Sequence, residues 1–223
     1  MRLCELRFAI RLGSVRGNEV IRQAMAIDKE LECWRSSLPV EFSYSKVNDF
    51  QNPETVFFGY YHVYSEKKVI PVWNYYRSLR ILTNEILLDA YHSNGTIPSV
   101  KTQQLVAEVL LNRLTSDICG SVLPLLGNTN SQKYVPVIYG TFIIWPLYVC
   151  ATNNFGSPKI REWIITQFNK IGEVMGIQLA TTLAHILRTS KEVTVWKFQC
   201  QEGENEMDES LLAEADLEKM AEV

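Results

Sequence analysis

Histidine and cysteine are the side chains that most readily build a reacting or metal-binding centre, and their spacing in this chain builds none. The histidines are His62, His92 and His185; the cysteines are Cys4, Cys33, Cys119, Cys150 and Cys200. No two of them stand three or four residues apart, the separation that sets two ligands on one helical face. There is no CxxC pair, so neither a zinc ribbon nor a zinc cluster can be assembled from them. Cys150 and His185 are the one conceivable nucleophile and base. Cys150, however, lies in the most apolar stretch of the chain, where a thiol stays protonated and inert. Glu85 and Asp89 are four residues apart, which suits a solvated helical face better than an acid–base pair. The phosphate-cradling runs GxxxxGK[ST] and GxGxxG are absent, as are the GxSxG elbow and HExxH. The sequence therefore offers no catalytic residue and no metal ligand, and the chain is read as a non-enzyme.

One polar group remains. Asn74, Arg77, Arg80 and Asn84 are interleaved with Trp73, Ile81 and Leu88. Two accounts fit them. They are half-exposed or pair with backbone carbonyls of a neighbouring helix, or they form a polar notch in an apolar pocket for a small molecule. A few convergent polar groups in an apolar wall are what such pockets present. On the second account Trp73, Asn74, Arg77 and Asn84 are the ligand-binding residues.

The element that carries them follows Pro71, which suits the first turn of a helix because its missing N–H costs nothing there. No Gly or Pro then occurs until Gly95. At helical spacing Val72, Tyr76, Leu79, Thr83, Ile86, Leu87 and Ala90 share one face. Trp73, Ile81 and Leu88 fall on the side that also carries Asn74, Arg77, Asn84 and Glu85. A helix apolar on two sides is packed on two sides, so residues 72–91 are read as a central buried helix. Residues 135–151 are apolar on every side and form the second.

Other helices are expected around these two. Asn18 is a capping residue for a helix with Val20, Ala24, Ile27, Leu31 and Trp34 at helical spacing, ended by Leu38-Pro39. Residues 43–56 lack a sustained period and read as a loop. The short apolar run 56–61 fits either a strand or, better, a helix lead-in. Pro98 opens a helix with Val106, Val109, Leu110, Leu114 and Ile118 on one face, interrupted at Gly120. Pro158 opens another with Ile160, Trp163, Ile164, Phe168, Ile171 and Val174 buried, broken at Met175-Gly176. A last helix has Leu179, Leu183 and Leu187 in register, and Trp196 and Phe198 close the body. The expected fold is an all-α, multi-helix bundle.

The 223 residues are 47% hydrophobic, enough for a substantial core, and the formal net charge of -3 is mild. The charge is uneven. Arg2, Arg7, Arg11, Arg16 and Arg22 make the start basic, so residues 1–17 read as a basic lead before a body at 18–200. Residues 201–223 carry nine Asp or Glu and one Lys. Leu211, Leu212, Leu217 and Met220 are set among these acids. The tail is either a disordered, solvating terminus or an activating segment that folds as a helix on a partner. Scattered cysteines fit a reducing compartment. Arginines interrupt residues 1–13, so they do not read as a signal peptide. Residues 134–153 carry no charge but contain Pro136, Gly140 and Pro146, and read as a core helix rather than a membrane span. Asn94-Gly95-Thr96 reads as a turn. No helix concentrates Arg and Asn on one face as a major-groove reader does.

A resemblance carries the reading further. Leu31-Glu32-Cys33-Trp34 through Leu38-Pro39, then Tyr61-His62-Val63-Tyr64, then Val72-Trp73-Asn74-Tyr75-Tyr76-Arg77-Ser78-Leu79-Arg80-Ile81, resemble the regulatory domain of fungal binuclear zinc-cluster transcription factors. Ile118-Cys119-Gly120-Ser121-Val122 with Leu126-Gly127 continues the likeness in order. Trp145-Pro146-Leu147-Tyr148-Val149, Arg161-Glu162-Trp163-Ile164, Ile171-Gly172, Met175-Gly176 and Gln178-Leu179-Ala180 complete it. The likeness spans residues 23–187 and rests on the shared order of loose motifs. It implies a nuclear regulator of RNA polymerase II transcription, often of metabolic genes. In that family a six-cysteine cluster binds two zinc ions and reads DNA. This sequence lacks the cluster, so no cofactor is expected in this chain, with zinc bound only if an upstream cluster exists. DNA contact is then expected through a missing domain or a partner. The transcription machinery or a co-regulator is the expected partner of Leu211, Leu212, Leu217 and Met220. No membrane partner is expected, and homodimerisation is left open.

Overall fold

The computed structural model describes residues 2–93, 98–127, 136–153 and 156–189, with the side chains of 98–100 left aside. The acidic tail, Trp196, Phe198 and Asn94-Gly95-Thr96 lie outside the described residues. The fold is all-α. Among the described residues the helices are α1 (Arg2–Arg11), α2 (Asn18–Ser36), α3 (Val69–Ser93), α4 (Pro98–Cys119), α5 (Val122–Leu126), α6 (Val137–Thr152), α7 (Pro158–Met175) and α8 (Gln178–Thr189). A single antiparallel pair, β1 (Tyr44–Asn48) with β2 (Tyr60–Tyr64), is the one departure from helix among them.

α3 is the centre. α2, α4 and α6 pack on it, α7 packs on α6, and α8 on α7. Ile70, Ile81 and Leu88 of α3 join Leu111 and Ile118 of α4, Ile143 and Leu147 of α6 and Phe168 of α7 in the main core. On the opposite side Leu87 and Tyr91 pack with Ala24 and Ile27 of α2 and Leu6 of α1. Residues 2–11, expected as part of a basic lead, thus form a helix with Leu3, Leu6 and Arg7 buried.

The two-sided packing of α3 is present. On the line assigned as the apolar face Tyr76, Thr83 and Leu87 are buried, Val72, Ile86 and Ala90 are half-buried, and Leu79 is exposed. The side that carries the polar residues is buried more completely: Asn74, Arg77, Arg80, Asn84 and Glu85 are all in the interior. Charged residues can be interior only where partners answer them, and α2, β2 and α4 supply those partners. In α6 the residues from Ile143 to Ala151 are buried except Trp145, whereas Val137 and Ile138 are exposed. Full burial was therefore an overstatement for its first turns. In α4 the buried line is Ala107, Leu111, Leu114 and Ile118, while Val106 and Val109 point to solvent. Val174 and Leu179, also expected inside, are exposed, and Trp34 is only partly covered. The stretch Lys101–Leu126 contains an 18-residue window with the hydropathy of a membrane span, yet 61% of that window is buried, as in the core helix of a globular body.

Local chemistry sets the boundaries that matter for the site. The N-cap of α2 is Gly17, with φ 54, and Asn18 is already helical with no side-chain cap. Ser157 caps α7 by accepting from the Lys159 N–H, with Pro158 in the first turn. Gly176 ends α7 in the left-handed conformation at φ 70, where a side chain would be strained. At Gly172 an added Cβ would meet Thr181 Oγ1, so a glycine there lets α8 lie close on α7.

The β-ribbon replaces the expected loop and lead-in. Tyr60, His62 and Tyr64 alternate with Tyr61 and Val63, and His62 is fully buried between flanking aromatics. Such aromatic alternation fits a half-buried strand. The His62 N–H donates to the Gly120 carbonyl at 2.9 Å, so the turn between α4 and α5 holds β2 in place.

Candidate functional site: a cationic cleft on the central helix

β1, α3 and α4 line an open cleft of about 470 Å³, bordered by residues 38–43 and the end of α2. Its size lies in the range of small-molecule sites. Trp73, Tyr76, Arg77 and Arg80 line it from α3, and Leu110, Arg113, Leu114 and Asp117 from α4. These four α4 positions fall at helical spacing on one side of that helix. Tyr44 and Lys46 come from β1, and Leu38, Pro39, Val40 and Phe42 form an apolar rim. Trp73 Nε1 donates to the Phe42 carbonyl at 2.7 Å, tying the rim to α3.

Arg77 is the most deeply placed charge, with 1% of its surface exposed. Nη1 donates to Tyr64 Oη and to Asn74 Oδ1, both at 3.0 Å. Asn74 in turn donates to Ser121 Oγ at 2.8 Å. The guanidinium carbon lies 5.0 Å from the Tyr44 ring centre and 5.4 Å from that of Trp73, within cation–π range. Nη2 has no hydrogen-bond partner. A guanidinium does not deprotonate in a protein, so Arg77 is a permanent buried cation.

Asp117 receives Lys46 Nζ at 2.7 Å and Tyr60 Oη at 3.2 Å on Oδ1. His62 Nε2 stands 3.4 Å from the same oxygen and makes no hydrogen bond there. Burial works to raise the Asp117 carboxyl, but His62, Arg77 and Lys46 outweigh it and hold the group well below the usual carboxylate range. Burial is also the main influence on His62 and pushes its imidazole below the ordinary histidine value, against the pull of Asp117. Tyr64 Oη accepts from Arg77 and lies 2.9 Å from His62 Nδ1.

A second cluster forms the wall toward α2. Arg80 Nε and Nη2 donate to the two oxygens of Asp28 at 2.8 and 2.7 Å. Arg80 Nη1 donates to Glu32 and, at 3.0 Å, to Tyr76 Oη, which itself donates to Glu32 at 2.8 Å. Burial chiefly, with Glu32 alongside, pushes the Tyr76 phenol up to about 12. This fork–fork pairing locks α2 onto α3 and fixes the Tyr76 wall.

Of the residues expected to bind a ligand, Trp73 and Arg77 line the cleft. Asn74 stands behind Arg77 and orients it. Asn84 is not on the cleft: its amide donates to Asp28 at 2.8 Å and to the Arg80 carbonyl at 2.9 Å. Tyr44, Lys46, Arg113 and Asp117 belong to the wall and were not singled out in the sequence. Tyr44 and Lys46 lie in β1, whose exposed, polar sequence gave no signal for them. Asp117, seven residues after Leu110 on one side of α4, was the signal for that helix.

Cys150 is buried, and burial pushes its thiol up to about 12. His185 is exposed on α8, and no hydrogen bond joins the two. Among the described residues no three His, Cys, Asp or Glu side chains converge as a metal site requires. The arrangement is that of a binding cleft: fixed cations, aromatic faces and an apolar rim. Comparison with protein-family models, curated proteins and solved structures returned no match to this chain.

Proposed function

We propose that this chain is the regulatory domain of a fungal transcription factor that controls RNA polymerase II transcription of metabolic genes in the nucleus. The reading is supported by the sequence resemblance, whose motifs run from Leu31 to Ala180; residues 72–81 among them supply Trp73, Tyr76, Arg77 and Arg80 to the cleft. The acidic segment, through Leu211, Leu212, Leu217 and Met220, contacts the transcription machinery or a co-regulator. DNA recognition comes from another domain or from a partner.

The test is to tether the whole chain to a heterologous DNA-binding domain in a fungal reporter strain. A change in reporter output relative to the DNA-binding domain alone supports the reading. Output indistinguishable from that control, at matched protein level, removes it.

The cleft itself favours a second reading, compatible with the first. The domain senses a small molecule, and Trp73 and Arg77 are its contact residues. Dose-dependent stabilisation of the purified chain by a metabolite, read as a rise in Tm, checks it.

A further inference from the structure

The cations around the cleft are not all answered by acids. Lys46 is paired with Asp117, Arg35 with Glu32, and Arg80 with Asp28 and Glu32. Arg77 and Arg113 also line the cleft, and neither makes an ion pair among the described residues. Arg113 is exposed at the rim. Arg77 is buried, keeps its charge, and has Nη2 without an acceptor. A buried guanidinium answered on one nitrogen only is an unfavourable arrangement in the absence of a further acceptor. Asp117 acts on Arg77 through its charge but accepts no hydrogen bond from Nη2.

We propose that the cleft binds an organic carboxylate: a small acid with an apolar or aromatic body. Arg77 takes the carboxylate, with Arg113 adding its charge from the mouth. The apolar rim and the Trp73 ring cover the body. A planar guanidinium fork matches a carboxylate in geometry and charge. The apolar rim separates such an acid from inorganic phosphate, which would leave that surface uncovered. The inference deepens the small-molecule reading of this cleft and rests on it. It does not depend on the transcriptional role.

Isothermal titration of the full chain tests it with octanoate, 3-phenylpropionate and indole-3-acetate, each beside its primary amide, and with inorganic phosphate. The expected result is measurable binding of at least one acid, with its amide weaker by about tenfold or more, the loss of one charge-assisted contact. Phosphate should bind far more weakly than that acid. Arg77→Gln should weaken the acid by about tenfold and the amide by clearly less. Because a substitution at a buried site can unfold the chain, Arg113→Gln at the exposed rim is the companion variant. At an unchanged Tm it should weaken the acid by roughly threefold and leave the amide alone. Amides or phosphate binding as tightly as the acids overturn the carboxylate inference and leave a sensing cleft standing. So does acid affinity unchanged in both folded variants. If neither acids nor amides bind, the carboxylate inference falls, and the sensing reading then rests on its own stabilisation test.

Discussion

Arg80→Ala is the most informative single perturbation of the body. The side chain of Arg80 is 10% exposed and is held by the carboxylates of Asp28 and Glu32 and by the Tyr76 hydroxyl. Removing one partner of a buried ion pair costs about 3–5 kcal/mol, because the other charge is left behind without compensation. Here the carboxylates are not sealed: the Asp28 and Glu32 side chains are 20% and 38% exposed, so water reaches both after truncation. Asn84 Nδ2 and Arg35 also remain to Asp28 and Glu32 respectively. The expected loss is therefore about 2–3 kcal/mol, below the figure for a fully enclosed pair. Equilibrium urea unfolding at neutral pH reads it as a lower midpoint at unchanged slope. A double-mutant cycle with Asp28→Ala should return a coupling of about 1–2 kcal/mol. A loss under about 1 kcal/mol with a coupling near zero would refute the view that this cluster locks α2 onto α3.

Three further outcomes follow from the same structure. Trp73→Ala should cost about 3–5 kcal/mol in urea unfolding, since the indole is buried and donates to Phe42; a loss under about 1 kcal/mol would contradict its place in the cleft wall. His62 has a folded pKa depressed below its unfolded value, so the unfolded chain binds more protons on acidification. Its contribution is complete above about pH 6.5 and is lost as pH falls toward the folded pKa, so Tm should drop from about pH 7.5 to about pH 5, and His62→Gln should flatten that drop; a wild-type Tm constant over this range would be the contrary result. The purified chain should show no sequence-specific DNA binding by fluorescence anisotropy, with any residual binding fading steeply as salt rises; a salt-resistant preference for one duplex over its shuffled version would oppose this.

Helix positions and breaks were readable because apolar spacing, prolines and glycines mark them directly. Pro158, Gly120 and Gly176 fall at the edges of elements, and the run after Pro71 is one helix. Orientation was harder. Trp73, Ile81 and Leu88 mark the side of α3 that bears Asn74, Arg77 and Asn84 as packed, but periodicity does not show what answers its polar groups. Its burial depends on Asp28, Glu32, Tyr64 and Ser121, which lie far away in sequence and come together only in the fold. The β-ribbon was missed for a related reason. Tyr44–Asn48 is polar and mostly exposed, and its pairing with Tyr60–Tyr64 depends on the anchor at Gly120 rather than on a hydrophobic alternation of its own. Of the cleft, the α3 contribution was legible, while the α4 and β1 walls were not.

If the chain is the regulatory domain we propose, its helical body restrains an activating acidic segment. The most direct measurement compares reporter output from residues 201–223 and from the whole chain, each fused to the same heterologous DNA-binding domain and expressed at matched level. The segment alone should activate, the whole chain should activate less, and replacing Leu211, Leu212 and Leu217 together by Ala should abolish the segment's activity with its charge unchanged. An inert segment, or a whole chain that activates as strongly as the segment, would contradict the claim.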